Sequence, residues 1–88
     1  MNTIWKFPIR ITDEQEISMP AGALPLHAGL DPAGTPCLWC LVDPERATAP
    51  LPVAIFGTGN PMAGIPASPH VGSFVQGGFV WHVFAGGT

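Results

Sequence analysis

The sequence predicts an all-β fold, a small antiparallel meander of six or seven short strands closing into a sandwich or a half-open barrel and assembling as a homo-oligomer. Three observations predict it. Eleven prolines and eleven glycines interrupt an 88-residue chain too often for a helix of ordinary length. The segments between them are short and rich in β-formers, and the first alternates apolar and polar residues with period two. Hydrophobic residues make up 47% of the chain and charged residues 10%, against roughly 25% charge in an ordinary globular domain. A lone monomer therefore lacks the polar side chains to cover itself, and a symmetric interface is the simplest remedy.

The elements follow in order. Trp5, Phe7, Ile9 and Ile11 fall on one face and Lys6, Pro8 and Arg10 on the other, which makes the first strand. Pro8 has no N–H for a ladder, so this strand belongs at a sheet edge or a bulge. Thr12 to Gln15 suits a turn, and Glu16 to Met19 returns with Ile17 and Met19 inward, so the two strands are expected to form a hairpin. Leu24 to Leu30 alternates again, and Asp31 to Thr35 is a turn. Cys37 to Val42 is apolar on both faces, as a central strand covered on both sides would be.

Asp43 to Pro50 reads as an exposed connection and Leu51 to Phe56 as a fifth strand. Gly57 to Ser68 is irregular. Val71 to Gln76 and Phe79 to Phe84 flank Gly77 and Gly78, a hairpin signal because both turn positions tolerate positive φ. There is no internal repeat, and residues 1–88 form one domain, since a chain of this length buries only about two thirds of its unfolded surface.

Charge and length exclude several classes. The net charge of −3 sets six acids against Lys6, Arg10 and Arg46, so there is no basic stripe for duplex nucleic acid. No run approaches the ~20 apolar residues of a membrane span, and no leader-like apolar core opens the chain. Two cysteines make no disulfide framework, so the expected location is cytoplasmic.

Candidate chemistry is sparse. Cys37 and Cys40 form a CxxC, but residues three apart on a strand point to opposite faces, so they read as small buried hydrophobes and not as a redox pair. A zinc site would need two more ligands, and His27, His70 and His82 are not in a spaced pair, so no metal is expected. No serine has a triad pattern around it and no carboxylate pair stands in an apolar context, so no catalytic residue and no cofactor is expected. Trp5, Trp39 and Trp81 can stack on bases, though alternation with other apolar residues makes them core residues first. His82 lies between Trp81 and Val83 and faces away from them, toward a pocket or an interface. Gly57 to Pro61 offers flexible backbone N–H groups able to hold an anionic oxygen or a base edge, without the lysine and helix start of a phosphate-binding P-loop.

The run Ile4, Trp5, Lys6, Phe7, Pro8 with Thr12 to Gln15 and Met19, Pro20 resembles a family of small phage accessory proteins. Pro36 to Trp39, Leu41 to Pro44, Gly57 to Gly59 with Pro61, and Gly72, Phe74, His82, Val83 and Phe84 carry the resemblance along nearly the whole chain. It implies an anti-defence protein, similar to the sponges that sequester nucleotide immune signals of CBASS or Thoeris systems. Its implied ligand-binding residues are Lys6, Thr58, Gly59, Asn60 and His82, with Asn60 standing where relatives are expected to carry histidine. A nucleotide second messenger would then be the partner, bound without turnover and without a cofactor, and shared between two subunits. The rival classes are a protein–protein inhibitor of anti-CRISPR type and a minor structural protein of the virion.

Overall fold

Seven antiparallel strands account for the chain in the computed structural model, which describes residues 1–87. They are β1 (Thr3–Pro8), β2 (Gln15–Pro20), β3 (Leu24–Leu30), β4 (Pro36–Val42), β5 (Thr48–Gly57), β6 (His70–Gln76) and β7 (Phe79–Ala85). A three-stranded sheet has the order β1-β4-β3 and a four-stranded sheet the order β2-β5-β7-β6. The fold is all-β, in two sheets and without a closed barrel.

The two sheets face one another because each strand has one apolar side to bury. Leu38, Cys40 and Val42 of β4 and Ala28 of β3 meet Met19, Leu51, Val53, Ile55, Phe74, Val83 and Ala85 in one core, which Ile9 also enters. Full burial of each larger side chain among these contributes about 1.5–3 kcal/mol. On one side the sheets nearly touch. A Cβ at Gly72 would lie 2.3 Å from the Ala28 carbonyl oxygen and 2.9 Å from its nitrogen, so only glycine lets β6 approach β3. Register shifts between His70 and Gly72 and between Pro25 and His27 bend both strands there.

The expected hairpin between the first two strands does not form. β1 pairs with β4, and residues 9–14 carry the chain into the other sheet. The apolar faces of β1 and β2 thus cover the core from opposite sides. The Gln15 side chain pins this crossover, accepting from the Arg10 amide at 3.2 Å and donating to the Arg10 carbonyl. The neighbour order is consequently not that of a simple meander. β1 is an edge strand, as Pro8 requires, and β4 is central. The outer face of β4 is only partly covered, however, with Trp39 and Leu41 half-buried.

β5 starts at Thr48, inside the stretch expected to be a connection, and runs through Pro50 and Pro52. Two prolines fit because of strand parity. The bonds Ala21 N–H to Ala47 C=O and Gly86 N–H to Pro52 C=O show that odd positions of β5 bond toward β2 and even positions toward β7. The last strand pair with β7 is Val53 with Ala85; Pro52 still accepts from Gly86 and forgoes only the return bond at the end of the ladder, and the N–H that Pro50 lacks would have pointed beyond it. Gly77 and Gly78, at φ 63° and 80°, make the β6–β7 turn as expected.

Candidate functional site

His82 on β7 sits across from Phe56 on β5 and Ser73 on β6. Its strand neighbours Trp81 and Val83 face the core, so His82 projects from the outer face of the four-stranded sheet, with Phe84 two residues on. The turn after β5 adds a third group. Asn60 N–H donates to the Gly57 carbonyl, Thr58 N–H donates to the Val80 carbonyl, and Gly59 takes φ 85°. This turn brings Thr58 Oγ1 to 2.6 Å from His82 Nε2. On the other side of the ring Ser73 Oγ lies 2.8 Å from His82 Nδ1 and 3.0 Å from His70 Nε2.

The result is a hydrogen-bonded chain from Thr58 through His82 and Ser73 to His70. Each neutral imidazole carries one N–H and each hydroxyl donates once, so the hydrogens run in one direction through the whole chain or in the other. The ladder can therefore offer a donor at either end without moving a heavy atom. Aromatic rings frame it: His70 meets Phe84 edge-on at 5.4 Å and Phe84 meets Phe56 at 6.3 Å. No lysine or arginine takes part, so an anionic oxygen here would be held by hydroxyl, imidazole and backbone N–H groups.

The five residues singled out from the sequence divide. Thr58 and His82 are in direct contact, and Gly59 shapes the turn that joins them. Asn60 turns away: its Nδ2 lies 2.7 Å from the point a Cβ on Gly57 would occupy, beside the Trp81 ring on the core side of β5. Lys6 is in the other sheet, on its outer face opposite Trp39, where its Nζ lies 2.9 Å from Asp31 Oδ2. Thr35 and Ala33 amides also donate to Asp31. The Thr35 amide first, and then the Lys6 hydrogen bond, hold the Asp31 carboxyl below its ordinary value, and the Asp31 bond holds Lys6 above its own. Ser73, His70, Phe56 and Phe84 were not among the expected site residues.

Cys37 and Cys40 are both free and buried, and they lie on opposite faces of β4. Cys40 belongs to the core, where burial pushes its thiol up to about 11. Cys37 lies under Asp31 on the outer face, and burial raises its thiol too, ahead of the nearby Asp31 charge. Their separation across the sheet prevents them from acting as a pair.

Fold and ladder together define a small two-sheet β sandwich with a polar and aromatic patch on one outer face. The chain belongs to the family described as Domain of unknown function (DUF7352), which matches residues 1–88. No curated protein and no solved structure matches it. Among the described residues no helix is long and apolar enough to cross a membrane.

Proposed function

We propose that this chain binds a nucleotide-type ligand on the outer face of the four-stranded sheet and holds it without turnover. The observation that carries the reading is the ladder itself: Thr58, His82, Ser73 and His70 in unbroken hydrogen bonding beside the Phe56 and Phe84 rings. Such a surface offers aromatic stacking for a base and neutral donors for a phosphate or a base edge. Support for binding without turnover comes from the hydrogen bonds of the two imidazoles. Those of His82 go to hydroxyls at both nitrogens, and among the described residues no carboxylate orients either ring as a nucleophile–base pair requires.

In the phage accessory setting that the sequence resemblance implies, the ligand is a cyclic nucleotide or a related immune signal. Sequestering it in the cytoplasm of an infected cell blunts a CBASS or Thoeris response. Titration calorimetry with cyclic di- and trinucleotides and ADP-ribose derivatives tests this. The expected outcome is sub-micromolar binding to one of them, with the ligand recovered unchanged after the protein is denatured. No heat with any of these ligands sinks the nucleotide reading, and recovery of a cleaved ligand sinks the claim of binding without turnover.

A second reading, a protein that covers another protein's surface, is favoured by the apolar side chains left in solvent. Ile65 is 98% exposed, Val75 61% and Phe79 60%. Such side chains suit the centre of a macromolecular interface.

A further inference from the structure

The two ends of the imidazole ladder are also the two ends of a loop. The chain leaves the ladder at Thr58 and returns to it at His70, and between them residues 63–68 form one wall of a groove of about 740 Å³. Glu14 and Glu16 line the groove as well, together with Pro52, Ala54 and Phe56 of β5. Glu16 stands across from Pro52, and strand parity puts Ala54 and Phe56 on the same outer face as Phe84 and His82, their partners on β7. Groove and ladder therefore lie side by side on one face and share the Phe56 ring, which meets Phe84 at 6.3 Å.

The two halves of this surface suit opposite chemistries. The ladder presents hydroxyl and imidazole groups that can donate to an anionic oxygen. The groove presents two carboxylates and the Ser68 hydroxyl, and among the described residues no lysine or arginine lines it. A phosphate is repelled there, whereas a group with paired N–H donors is attracted. β5 lies between β2 and β7, so two strand spacings, about 10 Å, separate the Glu16 strand from that of His82. One nucleotide spans such a distance from its phosphate to the far edge of its base.

Among the common bases the carboxylates favour one. Guanine presents two adjacent donors, N1–H and the N2 amine, which match the two oxygens of a single carboxylate. Adenine sets its N1 lone pair beside the N6 amine, cytosine sets its N3 lone pair beside the N4 amine, and uracil flanks N3–H with two carbonyl oxygens. Each of these brings an acceptor against the carboxylate. The half-buried Phe56 ring gives the base a face to stack on.

We infer that this groove is a guanine pocket: the ligand is a guanine nucleotide whose phosphate meets the ladder at His82 and whose base stacks on Phe56 and donates from N1–H and the N2 amine to Glu14 or Glu16. The inference rests on the nucleotide reading of the ladder and adds the base to it.

Calorimetric titration of the whole chain with cyclic di-GMP, cyclic di-AMP and cyclic di-IMP tests it. The three share one backbone, and the hypoxanthine base of the last lacks only the N2 amine of guanine. Cyclic di-GMP should bind at least about tenfold more tightly than either of the others. A Glu14→Gln, Glu16→Gln variant should lose at least about tenfold for cyclic di-GMP without weakening the other two, and should keep its circular dichroism because both side chains are exposed. Ser73→Ala should weaken all three by a common factor, because it acts at the phosphate. If cyclic di-AMP, cyclic di-IMP or an ADP-ribose derivative binds as tightly as cyclic di-GMP, or if the double variant keeps the parent's affinity for cyclic di-GMP, the nucleotide reading stands and the guanine assignment is overturned. Binding of none of them up to about 1 mM overturns both.

Discussion

Ser73 Oγ lies 2.8 Å from His82 Nδ1, directly across the β6–β7 hairpin, and the same hydroxyl is 3.0 Å from His70 Nε2. One small hydroxyl thus fixes the orientation of two rings. Because Ser73 is exposed, it does so at little cost in core packing, and its removal tests the ladder without testing the fold.

The first prediction follows. Ser73→Ala should change stability by less than about 0.5 kcal/mol, as exposed substitutions usually do. If the ladder binds an anionic ligand, the same variant should weaken binding by about 1.5–3 kcal/mol, the worth of a hydrogen bond to a charged group. His82→Phe should weaken it further while keeping the stacking surface. Calorimetry on folded variants reads both, and a Ser73→Ala protein that binds as tightly as the parent removes the ladder from the site.

Part of this was legible in the sequence. A two-residue Gly77-Gly78 turn fixes which residues of the flanking strands face one another, so Ser73 opposite His82 follows by counting outward from it. His70 does not follow, because the bulge before Gly72 shifts it to face Phe84. Thr58 was singled out through its loop, and its contact with His82 depends on how that turn folds back over β7. Alternation identified β1 and β3, the inward Ile17 and Met19 identified β2, the continuous apolar run Cys37 to Val42 identified β4 and Gly77-Gly78 the β6–β7 hairpin, but none of these patterns carries information on which sheet a strand joins. That is why β1 and β2 read as a hairpin although Gln15 and Arg10 hold them in different sheets; the family resemblance that groups Lys6 with His82 likewise says nothing about which sheet each strand joins.

The second prediction concerns Gly72. A methyl group there would meet backbone atoms of Ala28, at 2.3 Å from the carbonyl oxygen, and neither strand can retreat without separating the two sheets. Gly72→Ala should destabilise the chain by about 3 kcal/mol, the upper end of ordinary overpacking. The urea midpoint measures it, and a shift no larger than that of Ser73→Ala would show that β3 and β6 are not locked together.

The third prediction is a pH dependence. Asp31 is held below its ordinary value of 3.8 and Lys6 above 10.5. The depressed carboxyl contributes stability that is complete above its unfolded value and is lost as pH falls through the folded one. The raised ammonium contributes stability that is complete below its unfolded value and is lost as pH rises through the folded one. Asp31→Asn keeps an oxygen for the Ala33 and Thr35 amides and removes the charge. Urea midpoints of the two proteins should differ by a constant amount between about pH 5 and 9, converge as pH falls below that window, and narrow without closing above it, because the Thr35 and Ala33 amides still hold the carboxylate once Lys6 loses its proton. A difference that persists unchanged at about pH 2 would show that the Asp31 charge is not responsible.

The last prediction is self-association through the outer face of the three-stranded sheet. Ile4, Leu41 and Leu24 form one row across β1, β4 and β3, and the outer two are 56% and 55% exposed. The next row is Lys6, Trp39 and His27, with the His27 ring stacked on Trp39 at 5.7 Å. With only 10% charged residues in the chain, a second copy laid face to face on these rows is the covering its composition calls for. Area sets the strength. Three strands spaced about 4.8 Å apart and about 20 Å long give a face well short of the roughly 800 Å² per partner of a standard interface. The dimer should therefore be reversible, dissociating at micromolar concentrations. Sedimentation equilibrium should return a mass that approaches twice the 9.2 kDa chain mass at tens of micromolar and falls toward the single-chain mass on dilution. Leu24→Lys should restore the single-chain mass and leave the circular dichroism unchanged, because the side chain is exposed in the monomer and a lysine there stays hydrated. A parent protein that remains 9.2 kDa under those conditions, or a Leu24→Lys variant that still doubles, would rule this face out as the interface.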